Sequence, residues 1–592
     1  MSYSNSYPTE RPTLNLDFGN SGKLDSRISY SRSSTGTALS SERHLSSENL
    51  IPYSNDLSQS VWTKRNVTIP ATNITAPDGT STASSLLETT ATATHDFYEE
   101  FYSASGVSYT FTLYAKANGR DTFIVSPQAT STIASVEFNL TAVTSTVVSG
   151  SADSHSITAI GSTGWYKLQV TVTATGSGTG FLQTYFRVGG STTYAGDATK
   201  GAYIWGCQVS STGETVLNET SGQIHREYAP TLKTSAANEP RFEYTTGGES
   251  EGLLIEAQAT NKATYSEDFT NAVYNKYRAT IEPASAIAPD GTLTASFLRE
   301  DATASNTHYF NAVTDTGLSV GTTQYAVSIF VKAAGRSKIR IYDNNQNTPG
   351  TTTFDLSSGT VVTGDGSIQS CGNGWFRCTI IPTCDYSATS TVYIMLDNGS
   401  GTSYTGNGFS GILVWGYQLE TGVSASSAYI KSNSGSSTTR SADSCSVANA
   451  DFGYTGGPIS ITAEANTSDV SSASKIIFRY DGGDVYTNYF QGSLLVNYVT
   501  VGGATQALQY PSSVAAGTDY KVASRVDTNS INSAANGTAQ TADTSAVLPD
   551  LAGATLHIGG ISGSQCLNGN LKNLKVFSAP LSDTNLTALT SS

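Results

Sequence analysis

Apolar and polar residues alternate with a period of two along much of this chain. The clearest runs are Tyr109-Thr110-Phe111-Thr112-Leu113-Tyr114-Ala115 and Trp165-Tyr166-Lys167-Leu168-Gln169-Val170-Thr171-Val172. That period puts successive side chains on opposite faces of a strand. Strands are likewise predicted over Gly457 to Ala465, Lys475 to Tyr480, Tyr520 to Val526, Ala554 to Gly560 and Asn568 to Phe577. The best helix candidate, Leu581 to Leu589, has leucines at helical spacing and Ser582 placed as its N-cap.

A long internal repeat organises these strands. Asn49-Leu50-Ile51-Pro52-Tyr53-Ser54 returns as Asn261-Lys262-Ala263-Thr264-Tyr265-Ser266, and Ala76-Pro77-Asp78-Gly79-Thr80 as Ala288-Pro289-Asp290-Gly291-Thr292, both 212 positions later. Tyr114-Ala115-Lys116-Ala117 with Arg120 matches Phe330-Val331-Lys332-Ala333 with Arg336, and Phe138-Asn139-Leu140 matches Phe354-Asp355-Leu356. Gly164-Trp165-Tyr166 matches Gly374-Trp375-Phe376, and Trp205-Gly206-Cys207-Gln208 matches Trp415-Gly416-Tyr417-Gln418. The small drifts in offset are loop insertions and deletions. Each copy has the size of a β-sandwich, and its tryptophans, lying in strand-like runs, read as core. In the shared turn Pro presets φ and Gly supplies a positive one.

The divisions that follow are a segment 1–48, a first module 49–230, a docked connector 231–260, a second module 261–430, a Ser-rich linker 431–440 and a C-terminal domain 441–592. The expected fold class is all-β: serial β-sandwich (jelly-roll) domains, two of them repeats of each other. Composition agrees. Charged residues are 13% of the 592, about half the usual share, and Ser, Thr, Gly and Asn, which disfavour helices, fill the gap. Aromatics at 10% argue against disorder. A net charge of −15 argues against a nucleic-acid surface. No apolar run is long enough to span a bilayer, so no membrane insertion is expected, and the N-terminus lacks the pattern of a signal peptide.

Catalytic motifs are scarce. The cysteines at 207, 371, 378, 384, 445 and 566 form no CxxC pair or zinc spacing, and buried free thiols are expected, although Cys371 and Cys378 could face each other across strands. His95 and His308 correspond in the repeat and suggest packing. No phosphate loop or HExxH is present, and the Gly-x-Ser-x-Gly spelling at 248–252 lacks the strand-to-helix setting of a nucleophile elbow. Glu99-Glu100, a pair of the kind glycosidases use, falls opposite Asn311-Ala312 and is not repeated. Asp481, Asp484 and Glu464 have no separation fixed by sequence.

For binding, the richest stretch is Tyr480-Asp481-Gly482-Gly483-Asp484-Val485-Tyr486-Thr487-Asn488-Tyr489. Aromatic faces beside carboxylates and amides suit sugars, so Tyr480, Asp481, Asp484, Tyr486, Asn488 and Tyr489 form the candidate carbohydrate site. Ca2+ is the metal its oxygens could hold, and no other cofactor is implied. The competing reading is a plain hairpin turn with cross-strand paired tyrosines.

Leu14-Asn15-Leu16-Asp17-Phe18 followed by Leu24-Asp25-Ser26-Arg27-Ile28-Ser29-Tyr30-Ser31-Arg32 resembles openings of bacteriophage virion fibre and spike proteins. Pro240-Arg241-Phe242 with Gly252-Leu253-Leu254-Ile255-Glu256, running into Asn261 and Tyr265-Ser266-Glu267-Asp268-Phe269, is similar to the same group. Gly559-Gly560, Leu567-Asn568-Gly569 and Lys572 to Phe577 look like the closing strands of a laminin-G or concanavalin-like jelly roll. The resemblance implies a non-enzymatic, homotrimeric appendage on capsid or tail, located on the virion after assembly in a host cytoplasm. It implies adhesion to host or environmental glycans through carbohydrate-binding-like modules and a C-terminal lectin-like jelly roll, and makes residues 1–48 the attachment or capping segment toward other virion proteins. The alternatives are an architectural decoration protein without ligand and a polysaccharide depolymerase.

Overall fold

The structure, a computed structural model, describes residues 10–129, 132–313, 320–321, 323–344, 351–385, 390–561 and 563–591. Its strands form three two-sheet sandwiches, all paired antiparallel within the named strands, each around its own apolar core. Among the described residues the longest helix is Asp583–Thr590, and the Ser582 hydroxyl caps it by accepting the Asn585 N–H. No helix of the described residues is long and apolar enough to cross a membrane.

The two repeats are the first two sandwiches. In each, one sheet carries the tryptophans on its outer face. Trp165 and Trp375 donate their indole N–H to the backbone oxygens of Thr75 and Ile287, and Trp205 and Trp415 to the hydroxyls of Thr82 and Thr294. All four are 1–2% exposed; they pack under the Ala-Pro-Asp-Gly-Thr turn, as core rather than ligand platform. Gly206 and Gly416, at φ +64° and +62°, occupy bulges beside these tryptophans. A Cβ there would come within 2.7–2.8 Å of the Tyr114 or Phe330 ring, which is why the motif reads Trp-Gly-x-Gln.

Equivalent buried ion pairs lock both sandwiches. Arg120 grips Glu88 through two hydrogen bonds of 2.6 and 2.8 Å, and Arg336 grips Glu300 likewise; the Tyr194 and Tyr404 hydroxyls complete each carboxylate. His95 and His308 are fully buried and lie against those tyrosines, as packing predicts. The tryptophan sheets face each other across the two modules. Phe409 of the second packs edge-on against Tyr114 and Trp205 of the first, at 5.6 and 5.4 Å, and Lys167 pairs with Glu282.

The third sandwich departs from the expected divisions. Of the segment 1–48, the described residues 10–48 do not stand apart: Leu14–Asp17 pairs with the closing strand Gly569–Phe577, and Ser29–Ser31 pairs with Ser444–Ala448. The connector strands Arg241–Tyr244 and Ser250–Ile255 extend the same sheet as Leu14–Asp17. Gly36–Asn49 forms a ribbon with His225–Ser235. Nor is 431–440 a loose tether, because Thr438–Arg440 pairs with Ala259–Asn261 and Lys431 is bound to Glu267. The Ser and Thr hydroxyls that suggested a linker make ordered bonds instead, such as Ser432 Oγ to the Ser436 carbonyl.

These crossings meet at a buried ionic hub. Asp443 receives Arg32, Arg241 and the Tyr30 hydroxyl, while Glu256 receives Arg241 and Arg440. The Arg32, Arg241 and Asp443 side chains have no exposure at all. Burial alone would raise the Glu256 pKa; Arg440 and Arg241 overcome it and hold the carboxyl at about 2. A depressed carboxylate contributes stability that is present above the unfolded value of 4.5 and lost as pH falls toward 2. We expect the thermal midpoint of the C-terminal sandwich to drop across that window, by the equivalent of roughly 3 kcal/mol, and the drop to flatten in Glu256→Gln. Calorimetry at stepped pH checks both.

The thiols are free; five are buried and Cys371 is partly so. Cys378 lies opposite Ile368, not Cys371.

Candidate functional site: a tyrosine-lined sheet face

The candidate stretch in the C-terminal domain does not assemble as one surface. Tyr480, Tyr486 and Asn488 point into the core and are 0% exposed, so they cannot meet a sugar. Their strand parity is that of Phe478 and Phe490, which also face inward. Tyr486 and Asn488 belong to a buried polar seam between the sheets: the Tyr486 hydroxyl meets Ser524, Ser524 donates to Asn488, and Asn488 donates to Asn497. Asp484 pins loops, accepting the backbone N–H of Gly502 and Asp550. Asp481 is exposed beside Arg479, at 3.3 Å. Tyr489 alone of the tyrosines faces outward, near Tyr498 and Tyr510. No group of three or more His, Cys, Asp or Glu among the described residues is placed to hold a metal ion.

A better-formed aromatic face lies on the second module, on the sheet without tryptophans. Strands Tyr274–Tyr277, Tyr309–Val313, Thr391–Asp397 and Lys338–Asp343 run side by side there. Inward positions Tyr274, Phe310, Ile394 and Ile341 fill the core. The register places the outward ones in two adjacent rows. One is Tyr277, Tyr309, Met395, Arg340; the other is Asn275, Asn311, Tyr393, Tyr342. The four tyrosines form a continuous zigzag. Tyr277 stacks on Tyr309 with centroids 5.2 Å apart, Tyr309 meets Tyr393 edge-on at 5.2 Å, and Tyr393 meets Tyr342 at 5.4 Å.

Tyr277 is 41% exposed and the other three are half-buried. Every ring contact of the four among the described residues is with one another, apart from the Arg278 guanidinium lying over Tyr277 at 5.6 Å. At one end Asn275 donates to Asn311 at 3.3 Å, leaving amide capacity toward solvent. At the other, Arg340 donates to the Thr353 hydroxyl and approaches Asp397 at 3.6 Å. Burial, with Tyr393 and Tyr277 beside it, pushes the Tyr309 hydroxyl above the usual phenol range, so it stays a neutral donor. The face offers ring surfaces, phenol and amide hydrogen-bonding groups and cationic edges. Its carboxylates among the described residues, Asp397 and Asp355, stand on either side of Lys338, the first nearly buried and the second partly so. That chemistry binds; it holds no facing pair of exposed acids.

The same four sheet positions in the first module hold Arg65, Asp96, Gln183 and Ser126, paired in the same register. There Arg65 and Gln183 both bond Asp96, at 2.7 and 2.8 Å. Its aromatics are placed differently: Tyr185 stands opposite Asp96, where the second module has Met395, and Tyr98 and Phe181 lie one step along. The repeat therefore conserves the scaffold and changes the face. Other cavities are less suited: the polar cleft of about 560 Å³ between the second module and the C-terminal domain, lined by Ser424, Ser426, Asp469 and Lys475, contains no aromatic ring.

No family model matches this chain, and no curated protein does. Among solved structures it is similar to the CBM40 of Ruminococcus gnavus IT-sialidase bound to α2,3-sialyllactose (16% identity, 24% of this chain and 87% of that one, TM-score 0.21). It is also similar to the CBM22 tandem of Paenibacillus barcinonensis Xyn10C (13% identity, 64% and 98%, TM-score 0.20) and to domains LG4-5 of the mouse laminin α1 chain (12% identity, 47% and 90%, TM-score 0.17). At such TM-scores these likenesses carry no argument about function. The fold defines the class of molecule: an all-β chain of serial sandwiches, two of them repeats.

Proposed function

We propose that this protein is a non-enzymatic bacteriophage virion appendage, a capsid or tail fibre or spike, that adheres to host-surface or environmental glycans through the tyrosine face of its second module. The carrying observation is the zigzag of Tyr277, Tyr309, Tyr393 and Tyr342, the first exposed and the others half-buried, flanked by Asn275 and Asn311. Sugar C–H groups pack on ring faces while hydroxyls bond amides and phenols. The virion setting rests on the sequence resemblance, whose motif residues Tyr30, Arg32, Arg241 and Glu256 meet in the ionic hub. A homotrimer on the virion, held to other virion proteins through its N-terminal part, completes the reading. Trimers would convert weak single sites into avidity.

The test is an array of bacterial surface glycans probed with the intact chain. Tyr309→Ala and Tyr393→Ala should each weaken retained binding about tenfold, the equivalent of roughly 1.4 kcal/mol per ring, with the thermal midpoint little changed. Silence of the wild-type chain across the array would favour the architectural decoration reading. Release of reducing ends from a bound polysaccharide would favour the depolymerase.

A further inference from the structure

The charges around the tyrosines run against the rest of the molecule. The chain carries −15 overall, yet the groups that rim this face are Arg278, Arg340 and Lys338. Their acidic neighbours are the nearly buried Asp397, Asp355 beside Lys338 at 3.7 Å, and Asp301, whose backbone N–H bonds the Arg278 carbonyl and whose carboxylate lies 3.4 Å from His308. Arg278 is exposed, has no ion pair among the described residues, and lies with its guanidinium over Tyr277. A guanidinium stacked on a ring uses its face and keeps its N–H edge for a planar acceptor. At the other end Arg340 holds Asp397 only at 3.6 Å, longer than a good charge-assisted bond. Three strand spacings separate the strands of Tyr277 and Tyr342, about 14 Å, a span suited to a short run of sugar rings with an acceptor near each end. In the first module Ile124 occupies the position of Arg340, and the half-exposed Arg65 that lies over Tyr98 is bound to Asp96 at 2.7 Å. Of these two faces, among the described residues, the second module's is the one with a ring-stacked guanidinium free of an ion pair.

We infer that the ligand of the tyrosine face is an acidic glycan, one bearing sugar carboxylates, with the rings on Tyr277, Tyr309, Tyr393 and Tyr342 and the carboxylates on Arg278 and Arg340. This rests on the proposed glycan-binding role of the same face. The probes are oligomers of galacturonate, glucuronate and α2,8-linked sialate, each beside its carboxyl-reduced twin, titrated into the intact chain at low and high salt. A general array of neutral glycans runs in parallel.

The acid member of at least one pair should bind about tenfold or more tightly than its twin, and salt should erode that margin. Arg278→Gln and Arg340→Gln should each cut acid binding severalfold toward the twin's level, with Arg340→Lys recovering part. Tyr393→Ala should weaken acid and twin alike. Equal binding of the twins, or retention of neutral glycans only, overturns the acidic assignment and leaves glycan binding standing. Silence toward every glycan overturns both.

Discussion

Replacing Asp443 with alanine is expected to cost the C-terminal sandwich about 3–5 kcal/mol. Arg32 and Arg241 both bond this carboxylate in a site with no side-chain exposure, and its oxygens also meet the Tyr30 hydroxyl and the Glu256 backbone N–H. Removing the acid leaves Arg241 and Arg440 sharing Glu256, and Arg32 bonded to the Tyr30 hydroxyl and backbone carbonyls without its ion pair. The uncompensated charge would be relieved by releasing what holds it in place, chiefly the strand Ser29–Ser31 that carries Tyr30. The measurement is denaturant unfolding of the intact chain with limited trypsin digestion in parallel, where cutting at Arg27 and Arg32 should quicken. An unchanged midpoint and unchanged digestion would mean the hub adds nothing.

Trp205→Ala should be the next most damaging change, at about 3–5 kcal/mol. The indole is 1% exposed, donates to the Thr82 hydroxyl, and is packed edge-on by Tyr114 at 5.2 Å and by Phe409 at 5.4 Å. Phe409 comes from the other module, so the cavity would open at the seam between them. Phe409→Ala and the double variant complete a cycle. A coupling of about 0.5–1.5 kcal/mol between the rings is expected, and strictly additive losses would show that the seam does not use this contact.

How much of this was legible in the sequence can be read from particular residues. Alternation gave the strand Trp165–Thr173, where burial follows it, and also Ser108–Asn118, which alternates in residue type although Tyr109 to Ala115 are buried on both faces. The repeat gave two equivalent modules, and Gly79 and Gly291 both take the positive φ the turn needs. Strand partners were not legible. Leu14–Asp17 has four residues, enough to show an apolar face but not which edge it completes.

The site was missed for a similar reason. Tyr277, Tyr309, Tyr342 and Tyr393 are scattered in sequence and meet only through register, whereas Tyr480 and Tyr486 are close together but share the inward parity of Phe478 and Phe490. A signal was nonetheless present. With the repeats aligned, four outward positions change from Arg65, Asp96, Ser126 and Gln183 to four tyrosines, and a core has no need for that exchange.

The pairing of Thr13 with Val576, 563 positions apart, also dictates an order of events during synthesis. At about 5–20 residues per second, the opening strand leaves the ribosome roughly half a minute to two minutes before its partner exists. The two middle modules can complete their sheets in that interval from their own strands, while Leu14–Asp17 and Ser29–Ser31 wait unpaired. The last strand made therefore recruits the first. A nascent chain stalled before residue 569 should carry two finished modules and a bare apolar edge at each end, the form in which this protein would be most prone to stick to its own copies.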